Sequence, residues 1–272
     1  MATGTQAASP LRYRSLIWNF AQRDLKSQFT GTAIGWLWSL VVPIATRATY
    51  TIVCSVIFRL EPPAFGNGRD GIFPVWLYCG LVAWALWANP VTSGMGSLLA
   101  AGPLLKKIYF PAYAPVLGSV VSVVIRWAVE LGLVLLVLGL LTNVSWTWLL
   151  VPFWFVLVVA MGTGMSVLLA VLNVHYRDLQ HLISVALQLL FYGTPIIYLV
   201  DRIPAEWNGI PLRDLIHLNP MTTSVELFRA LVYDLQPGAW QSWLYLLGWA
   251  AAGAAAGVLV YRARGRDLSE EL

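Results

Sequence analysis

Six long apolar segments constrain the fold of this chain more than any other feature. They comprise residues 34–58, 73–99, 116–141, 148–172, 182–199 and 240–261. A helix of about 20 apolar residues spans a bilayer core of roughly 30 Å. Only 11% of the residues are charged, whereas about a quarter are charged in a typical soluble domain. The sequence therefore predicts an all-α membrane protein with six transmembrane helices.

The basic residues between these segments predict the orientation of the chain. Six spans place both termini on one side, and the segments expected there hold ten Lys and Arg residues, against five on the other side. Cytoplasmic loops carry such a basic excess. We therefore expect a multi-pass protein with both termini in the cytoplasm. The first 30 residues lack an apolar core closed by a small-residue cleavage site, so the spans themselves are expected to direct insertion.

Residues 11–30 predict an amphipathic helix. Apolar side chains recur there at helical spacing, and the other positions include four basic residues: Arg12, Arg14, Arg23 and Lys26. A helix of this composition is typical of the membrane interface. The alternative is a soluble amphipathic helix packed on a partner.

Residues 207–234 predict a pair of short helices on the outer side. Asn219-Pro220 divides the segment, and the four residues from Thr223 to Glu226 have the spacing of a capping box, which places a helix start there. Each helical stretch has only about 8–11 residues, which is too short to cross a bilayer. We expect a re-entrant pair that reaches half-depth into the outer leaflet.

The sequence lacks motifs for ATP hydrolysis and for metal binding. It contains no Gly-x-x-x-x-Gly-Lys-Ser/Thr phosphate loop, and its three histidines lack metal-ligand spacing. Residues 162–164 and Gly253-x-x-x-Gly257 are interpreted as helix-packing sites. Glu130 is the one acidic residue within the six segments, and it can pair with Arg126 one turn earlier. We expect no cofactor on this chain, and any uphill transport must draw its energy from another subunit.

Several motifs, in this order along the chain, resemble those of polysaccharide-exporting ABC-2 permeases. They are Arg-Asp-Leu-Lys at 23–26 followed by Gly-Trp-Leu-Trp at 35–38, Leu-Lys-Lys-Ile-Tyr-Phe-Pro at 105–111, Asn-Val-His-Tyr-Arg-Asp-Leu at 173–179, Thr-Pro-Ile-Ile-Tyr at 194–198 and Leu-Asn-Pro at 218–220. The resemblance covers nearly the whole chain. One departure is that Ala-Tyr-Ala-Pro occupies residues 112–115, where the family commonly has charged residues.

This resemblance implies a function and a set of partners. Members of the family export lipid-linked O-antigen, teichoic acid or cell-wall galactan across the bacterial cytoplasmic membrane. They are homodimers joined to two copies of a cytoplasmic ATPase, which binds ATP and Mg²⁺. We therefore expect a permease homodimer that exports undecaprenyl-linked polysaccharide and contacts membrane lipids but no nucleic acid. The alternatives are a permease for a small amphiphile or drug, and an intramembrane enzyme that uses Asp201, Glu206 or Asp214.

The resemblance also implies which residues contact the ATPase. The family's two coupling segments correspond to residues 104–111 and 173–179. The residues expected to dock are Leu105, Lys106, Lys107, Tyr109, Phe110, Pro111, His175, Tyr176, Arg177 and Asp178. Arg177 and Asp178 are favoured for polar contacts, with Tyr109 and Phe110 as buried anchors. The alternative for Asp178 is to cap the following helix. The basic residues of segment 11–30 are expected to flank the substrate entrance.

Aromatic residues of the second apolar segment are predicted to line the path of the polymer. Trp84 and Trp87 lie 11 and 14 residues into that segment, on one helical face near mid-bilayer. An indole suits the apolar faces and hydroxyl edges of sugars. The residues predicted to contact substrate are Trp84, Trp87, Trp76, Tyr78, Arg47, Tyr192 and Tyr198. Arg47 is favoured for a substrate phosphate, and the alternative for the indoles is packing against neighbouring helices.

Overall fold

A computed structural model describes residues 13–27, 41, 45, 48–57, 59, 61–105, 107, 110–176, 178–206, 209 and 211–265. Over these ranges the regular structure is helical. The α-helices are α1 (Arg14–Ser27), α2 (Phe73–Leu105), α3 (Tyr113–Leu140), α4 (Val151–His175), α5 (Leu179–Tyr192), α6 (Leu212–His217), α7 (Pro220–Val232) and α8 (Trp240–Arg264). Shorter turns are a π-helix at Ile52–Ile57 and 3-10 turns at Trp146–Leu150 and Val200–Arg202.

Four described helices are long and apolar enough to cross a membrane. They are α2, α3, α8 and α4 with the 3-10 turn that precedes it. These four confirm the second, third, fourth and sixth predicted spans as helices. The predicted first span, residues 34–58, falls mostly outside the described residues. The total of six spans therefore stays a prediction.

The fifth apolar segment differs from its prediction. Helix α5 has 14 residues, which at 1.5 Å per residue is about 21 Å. It begins before residue 182 and ends at Tyr192, and residues 193–199 are not helical. Pro195 accounts for the break, because proline lacks an N–H group and disfavours helical backbone in the residue before it. The prediction of one helix over 182–199 is therefore corrected.

Helix α2 runs past its predicted end. The predicted segment ends at residue 99, but the helix continues to Leu105 with Pro90 and Pro103 inside it. Pro103 lies in the last turn, so the one N–H bond that it removes, to the Leu99 carbonyl, affects only the end of the helix. At Pro90 the Ser166 hydroxyl of α4 donates to the proline carbonyl at 2.8 Å. Neither Pro90 nor Pro103 therefore ends this helix.

Small residues bring α4 and α8 into backbone contact. A Cβ placed on Gly257 would lie 2.5 Å from the Gly164 carbonyl oxygen, and one on Gly253 would lie 3.2 Å from the Met161 carbonyl oxygen. Small residues allow such close approach between helices in membranes. The structure confirms the packing interpretation of Gly164, Gly253 and Gly257.

Helix α1 packs on the start of α3. Phe20 and Ala21 are buried, and a Cβ on Gly118 of α3 would collide with Phe20. Asp24 accepts a hydrogen bond from the Ser122 hydroxyl. An amphipathic helix is therefore confirmed, and its apolar face packs against a helix of this chain. We call this end of the helix bundle the α1 end.

Helices α6 and α7 lie in the segment predicted to hold two short helices, with the break at Asn219, and the re-entrant placement of this pair stays a prediction. Helix α7 is unusually well covered, since Met221, Val225 and Phe228 are fully buried. The capping-box prediction at Thr223 is wrong. The helix begins at Pro220, and the Asn219 side chain accepts from the Met221 amide at 2.9 Å, because Asn before a first-turn Pro is the stronger start signal. We call this end of the bundle the α7 end.

Candidate functional site

The C-terminal end of α7 is held by polar side chains of the α3–α4 connection. Asn143 is fully buried and donates from its amide to the Val232 carbonyl at 3.0 Å and the Tyr233 carbonyl at 2.9 Å. The Thr147 hydroxyl donates to Leu231 at 2.7 Å. These carbonyls belong to the last turn of a helix, where intrahelical donors run out. The connection therefore supplies the donors that a buried helix end requires.

The loop at 61–72 covers the same helix end. The Tyr233 hydroxyl donates to the Pro63 carbonyl at 2.9 Å, and the Phe65 and Tyr233 rings lie 4.5 Å apart. The Gly66 amide donates to the Tyr233 carbonyl at 3.0 Å. Burial beneath this loop raises the pKa of Asp234 to about 6, although the positive charge of Arg229 opposes the rise.

Two motifs that are distant in the sequence meet at the start of α7. The Asn219 amide donates to the Thr194 hydroxyl at 2.8 Å. Thr194 belongs to the non-helical stretch after α5, and Asn219 is the cap of α7. The motifs at 194–198 and 218–220 therefore form one hydrogen-bonded unit.

Arg229 is the main residue of this end that the sequence prediction missed. It is 5% exposed, and its guanidinium donates to the Pro195 carbonyl at 2.7 Å and the Ile196 carbonyl at 2.6 Å. A third donor reaches the Trp76 carbonyl at 3.3 Å. In the sequence Arg229 is one of the five basic residues assigned to the outer side. Its position one turn after Val225, on the apolar face of α7, was the available signal.

The aromatic residues predicted to line a path pack along α2. Trp76 and Trp87 are buried, and Trp84 is partly buried. The Trp84 ring lies 5.6 Å from Trp87 and 5.6 Å from Phe191 of α5. The two indoles therefore contact each other, and Trp84 also contacts α5 of the same chain.

The other residues predicted for the path lie around this stripe. The Tyr78 hydroxyl donates to the Glu130 carbonyl at 3.2 Å, and the Tyr198 hydroxyl donates to the Tyr192 carbonyl at 2.8 Å. Tyr192 is exposed. Arg47 falls outside the described residues.

The two predicted docking segments lie together at the α1 end. Ala112, beside the first segment, and Val174, within the second, belong to one buried apolar cluster that Leu105 also contacts. Lys107 is exposed and Pro111 is partly buried. The Phe110 ring is buried 5.5 Å from the Phe20 ring of α1, so it packs inside this chain rather than protruding as an anchor.

In the second segment Tyr176 and Asp178 are exposed, whereas Asn173 is buried and donates from its amide to the Met95 carbonyl at 3.2 Å. His175 ends α4 with Nδ1 3.0 Å from the Val171 carbonyl, and Tyr176 is 58% exposed. Asp178 occupies the cap position of α5, but its side chain makes no capping hydrogen bond. The capping alternative for Asp178 is therefore not supported. Lys106, Tyr109 and Arg177 lie outside the described residues.

The basic face of α1 points away from α3. Arg14, Arg23 and Lys26 are exposed, and the Arg23 guanidinium lies 5.1 Å from the Phe20 ring centroid. Arg12 precedes the described residues. The exposed face is therefore cationic, while the opposite face supports α3.

The acidic residues considered for an enzyme are solvent-facing. Asp201, Glu206 and Asp214 are all exposed. Among the residues that the structure describes, no group of three or more His, Cys, Asp and Glu side chains could hold a metal ion.

Comparisons with known proteins match most of the chain. The sequence model of the family described as ABC-2 type transporter matches residues 15–233. The O-antigen export system permease protein RfbA of Myxococcus xanthus is 30% identical over 226 residues, which are 82% of each chain. A protein of the same name from Klebsiella pneumoniae is 27% identical over 212 residues, 77% of this chain and 76% of the relative.

Proposed function

This chain belongs to the ABC-2 type transporter family, and on that premise we propose that it is the permease subunit of an ATP-driven exporter of lipid-linked polysaccharide. The observation that carries the proposal is the 30% identity to an O-antigen export permease across 82% of both chains. The matched range of 15–233 includes all but the first residue of α1, both docking segments and α7. Similarity over these parts supports a shared mode of transport.

We further propose the assembly in which this permease works. Two copies form the transport path and bind two copies of a cytoplasmic ATPase, which supplies the ATP and Mg²⁺ site. The complex lies in the bacterial cytoplasmic membrane with both termini of the permease in the cytoplasm. An apolar face on α5, with Leu182, Val185 and Leu189 exposed, is suited to a second copy or to lipid.

Copurification tests this function. The tagged full-length chain is extracted from its native membrane in mild detergent, and bound proteins and lipids are identified by mass spectrometry. The proposal expects an ABC ATPase at equal stoichiometry and a glycan joined to a polyprenyl phosphate. A small amphiphile without a glycan would favour the drug-permease alternative. A chain that retains no ATPase under conditions that preserve the complex of a related exporter would contradict the proposal.

The docking segments give a prediction for coupling. Arg177→Glu is expected to reduce ATP-driven export at least about tenfold, because reversing a charge in an interface places like charges together at a cost of a few kcal/mol. Export and ATP hydrolysis are measured with the complex in proteoliposomes. Arg202→Glu reverses the charge of an exposed residue at the α7 end and serves as the matched control. Equal export by both variants, with the ATPase still bound, would remove Arg177 from the docking surface.

The aromatic stripe gives a prediction for the path. We propose that Trp84, with Trp76, Tyr78, Trp87, Tyr192, Tyr198 and Arg47, contacts the moving glycan. Trp84→Leu is expected to lower export several-fold, since an aromatic contact contributes about 0.5–1.5 kcal/mol, while ATPase binding and basal hydrolysis persist. Trp249→Leu, at an exposed position of α8, is the matched control. Unchanged export by Trp84→Leu would place the stripe outside the path.

The cationic face of α1 supports a proposal for substrate entrance. Exposed Arg14, Arg23 and Lys26, together with Arg12, suit the phosphate of a lipid carrier as well as anionic headgroups. The packing of α1 on α3 fixes this face beside the docking segment that contains Phe110. We propose that lipid-linked substrate approaches the permease along this face.

A further inference from the structure

Arg229 covers a face of the ring of Trp76, one of the residues proposed to contact the glycan. Its guanidinium carbon lies 3.5 Å from the centroid of the Trp76 ring. Both side chains are buried, with Trp76 4% exposed. A guanidinium at this distance is attracted by the electron-rich face of an indole. A saccharide stacks on the same kind of face, so the two cannot occupy this face of Trp76 together.

The acceptors around Arg229 also suit sugar hydroxyls. Carbonyl oxygens of Pro195, Ile196 and Trp76 receive the guanidinium donors. Residues 195 and 196 follow the end of α5, where the backbone has left helical geometry and its carbonyls lack intrahelical donors. Arginine satisfies them because its planar fork carries five N–H groups. Hydroxyl groups are the corresponding donors of a glycan.

Helix α2 is shaped to admit the guanidinium. Gly80 lies one turn after Trp76 on the same face, and a Cβ placed on it would collide with an Arg229 Nη atom. Any larger residue at position 80 would therefore displace the guanidinium from its carbonyl partners. Arg229 is therefore held in one site, which consists of the space at Gly80, the carbonyls after α5 and the face of Trp76.

We propose that Arg229 is a positioning residue that closes the α7 end of the transport path in the resting permease. It joins α7, the stretch after α5 and α2 into one unit, and it covers Trp76. A saccharide reaching this end competes for the same ring and the same carbonyls, and passage displaces the guanidinium. The inference rests on the proposed function, because without a glycan nothing would compete for Trp76.

Dye leakage without ATP tests the closure separately from transport. The full complex is reconstituted in vesicles loaded with calcein. Arg229→Met, which keeps a long side chain but removes the donors and charge, is expected to raise leakage several-fold at an unchanged gel-filtration profile. Arg229→Lys is expected to give an intermediate leak, because a compact ammonium lacks the planar fork that reaches three separate carbonyls while it covers the ring. Arg213→Met is the matched control, since Arg213 also donates to a carbonyl at this end, that of Ile203 at 2.9 Å.

Two further variants keep the test decisive if Arg229→Met does not fold. Gly80→Ala retains the charge but pushes the guanidinium aside, and it is expected to leak like Arg229→Lys. Leakage by Arg229→Ala is expected to fall when millimolar guanidinium chloride is added, whereas sodium chloride has no effect. Folded Gly80→Ala and Arg229→Lys complexes as tight as wild type would overturn the proposal. Leakage needs no substrate, so failure to export a glycan would count against the proposed function alone.

Discussion

Gly164→Val is expected to prevent α4 and α8 from packing and to leave little folded permease. A Cβ on Gly164 would collide with the backbone carbonyl of Gly253. Overpacking usually costs about 1–3 kcal/mol, and the cost here should reach or exceed the upper value because neither backbone can move by changing a rotamer. Helix α8 has few other buried residues, among them Leu246 and Ala250. It therefore has little else to hold it against α4.

Heating the detergent-solubilised chain and measuring the monodisperse fraction checks this result. The midpoint for Gly164→Val is expected to fall by at least about 5 °C relative to wild type, if the variant accumulates at all. Gly248→Val is the matched control, because a Cβ at Gly248 on α8 has no neighbour within 4 Å. A Gly164→Val midpoint equal to that of Gly248→Val would show that α8 does not rest on α4 in solution.

Trp154→Ala is expected to destabilise the fold by about 3–5 kcal/mol, the usual cost of emptying a large buried aromatic site. Trp154 of α4 is fully buried, and its ring centroid lies 4.6 Å from that of Phe228. Its indole N–H donates to the Ser224 carbonyl at 3.0 Å. The substitution therefore removes both the apolar contact and the polar contact that join α7 to α4.

Comparison with Trp154→Phe separates these two contributions. Phenylalanine keeps most of the ring but loses the donor, so its cost is expected near 1 kcal/mol, the typical net value of one hydrogen bond. Unfolding is followed by denaturant titration in detergent for both variants. A Trp154→Ala cost below about 1 kcal/mol, within reach of surface substitutions, would mean that α7 is not docked on α4.

The spans could be predicted because bilayer thickness imposes a length on apolar sequence. Residues 73–99, 116–140, 148–172 and 240–261 all fall in long apolar helices. The glycine contacts of α4 and α8 could also be predicted, since Gly253 and Gly257 are spaced one turn apart in the sequence. These features depend on local composition and on the spacing of residues along a helix, and both can be read from the sequence.

The ends of helices and the buried polar contacts could not be predicted in the same way. Pro103 and Pro195 are both prolines in apolar sequence, yet one lies inside a helix and the other follows a break. Residue type alone therefore does not mark the end of a helix in this sequence. Arg229 is the clearest example, because its carbonyl partners at 195 and 196 are 34 and 33 residues away in sequence. The substrate and assembly rest on the family and stay proposals.

The burial of α7 has a consequence for how the protein is made. Its contacts with the start of the chain are remote: the hydrogen bond from Arg229 to Trp76 spans 153 residues, and that from Tyr233 to Pro63 spans 170. Synthesis proceeds from the N-terminus, so α2 and α4 are made before the helix that packs against both of them. Until α7 is made, the Asn143 amide lacks the Val232 and Tyr233 carbonyls as acceptors, and the Trp154 indole lacks the Ser224 carbonyl. We therefore expect nascent chains that stall before residue 220 to remain incompletely folded, and such chains are the substrates of chaperones and proteases.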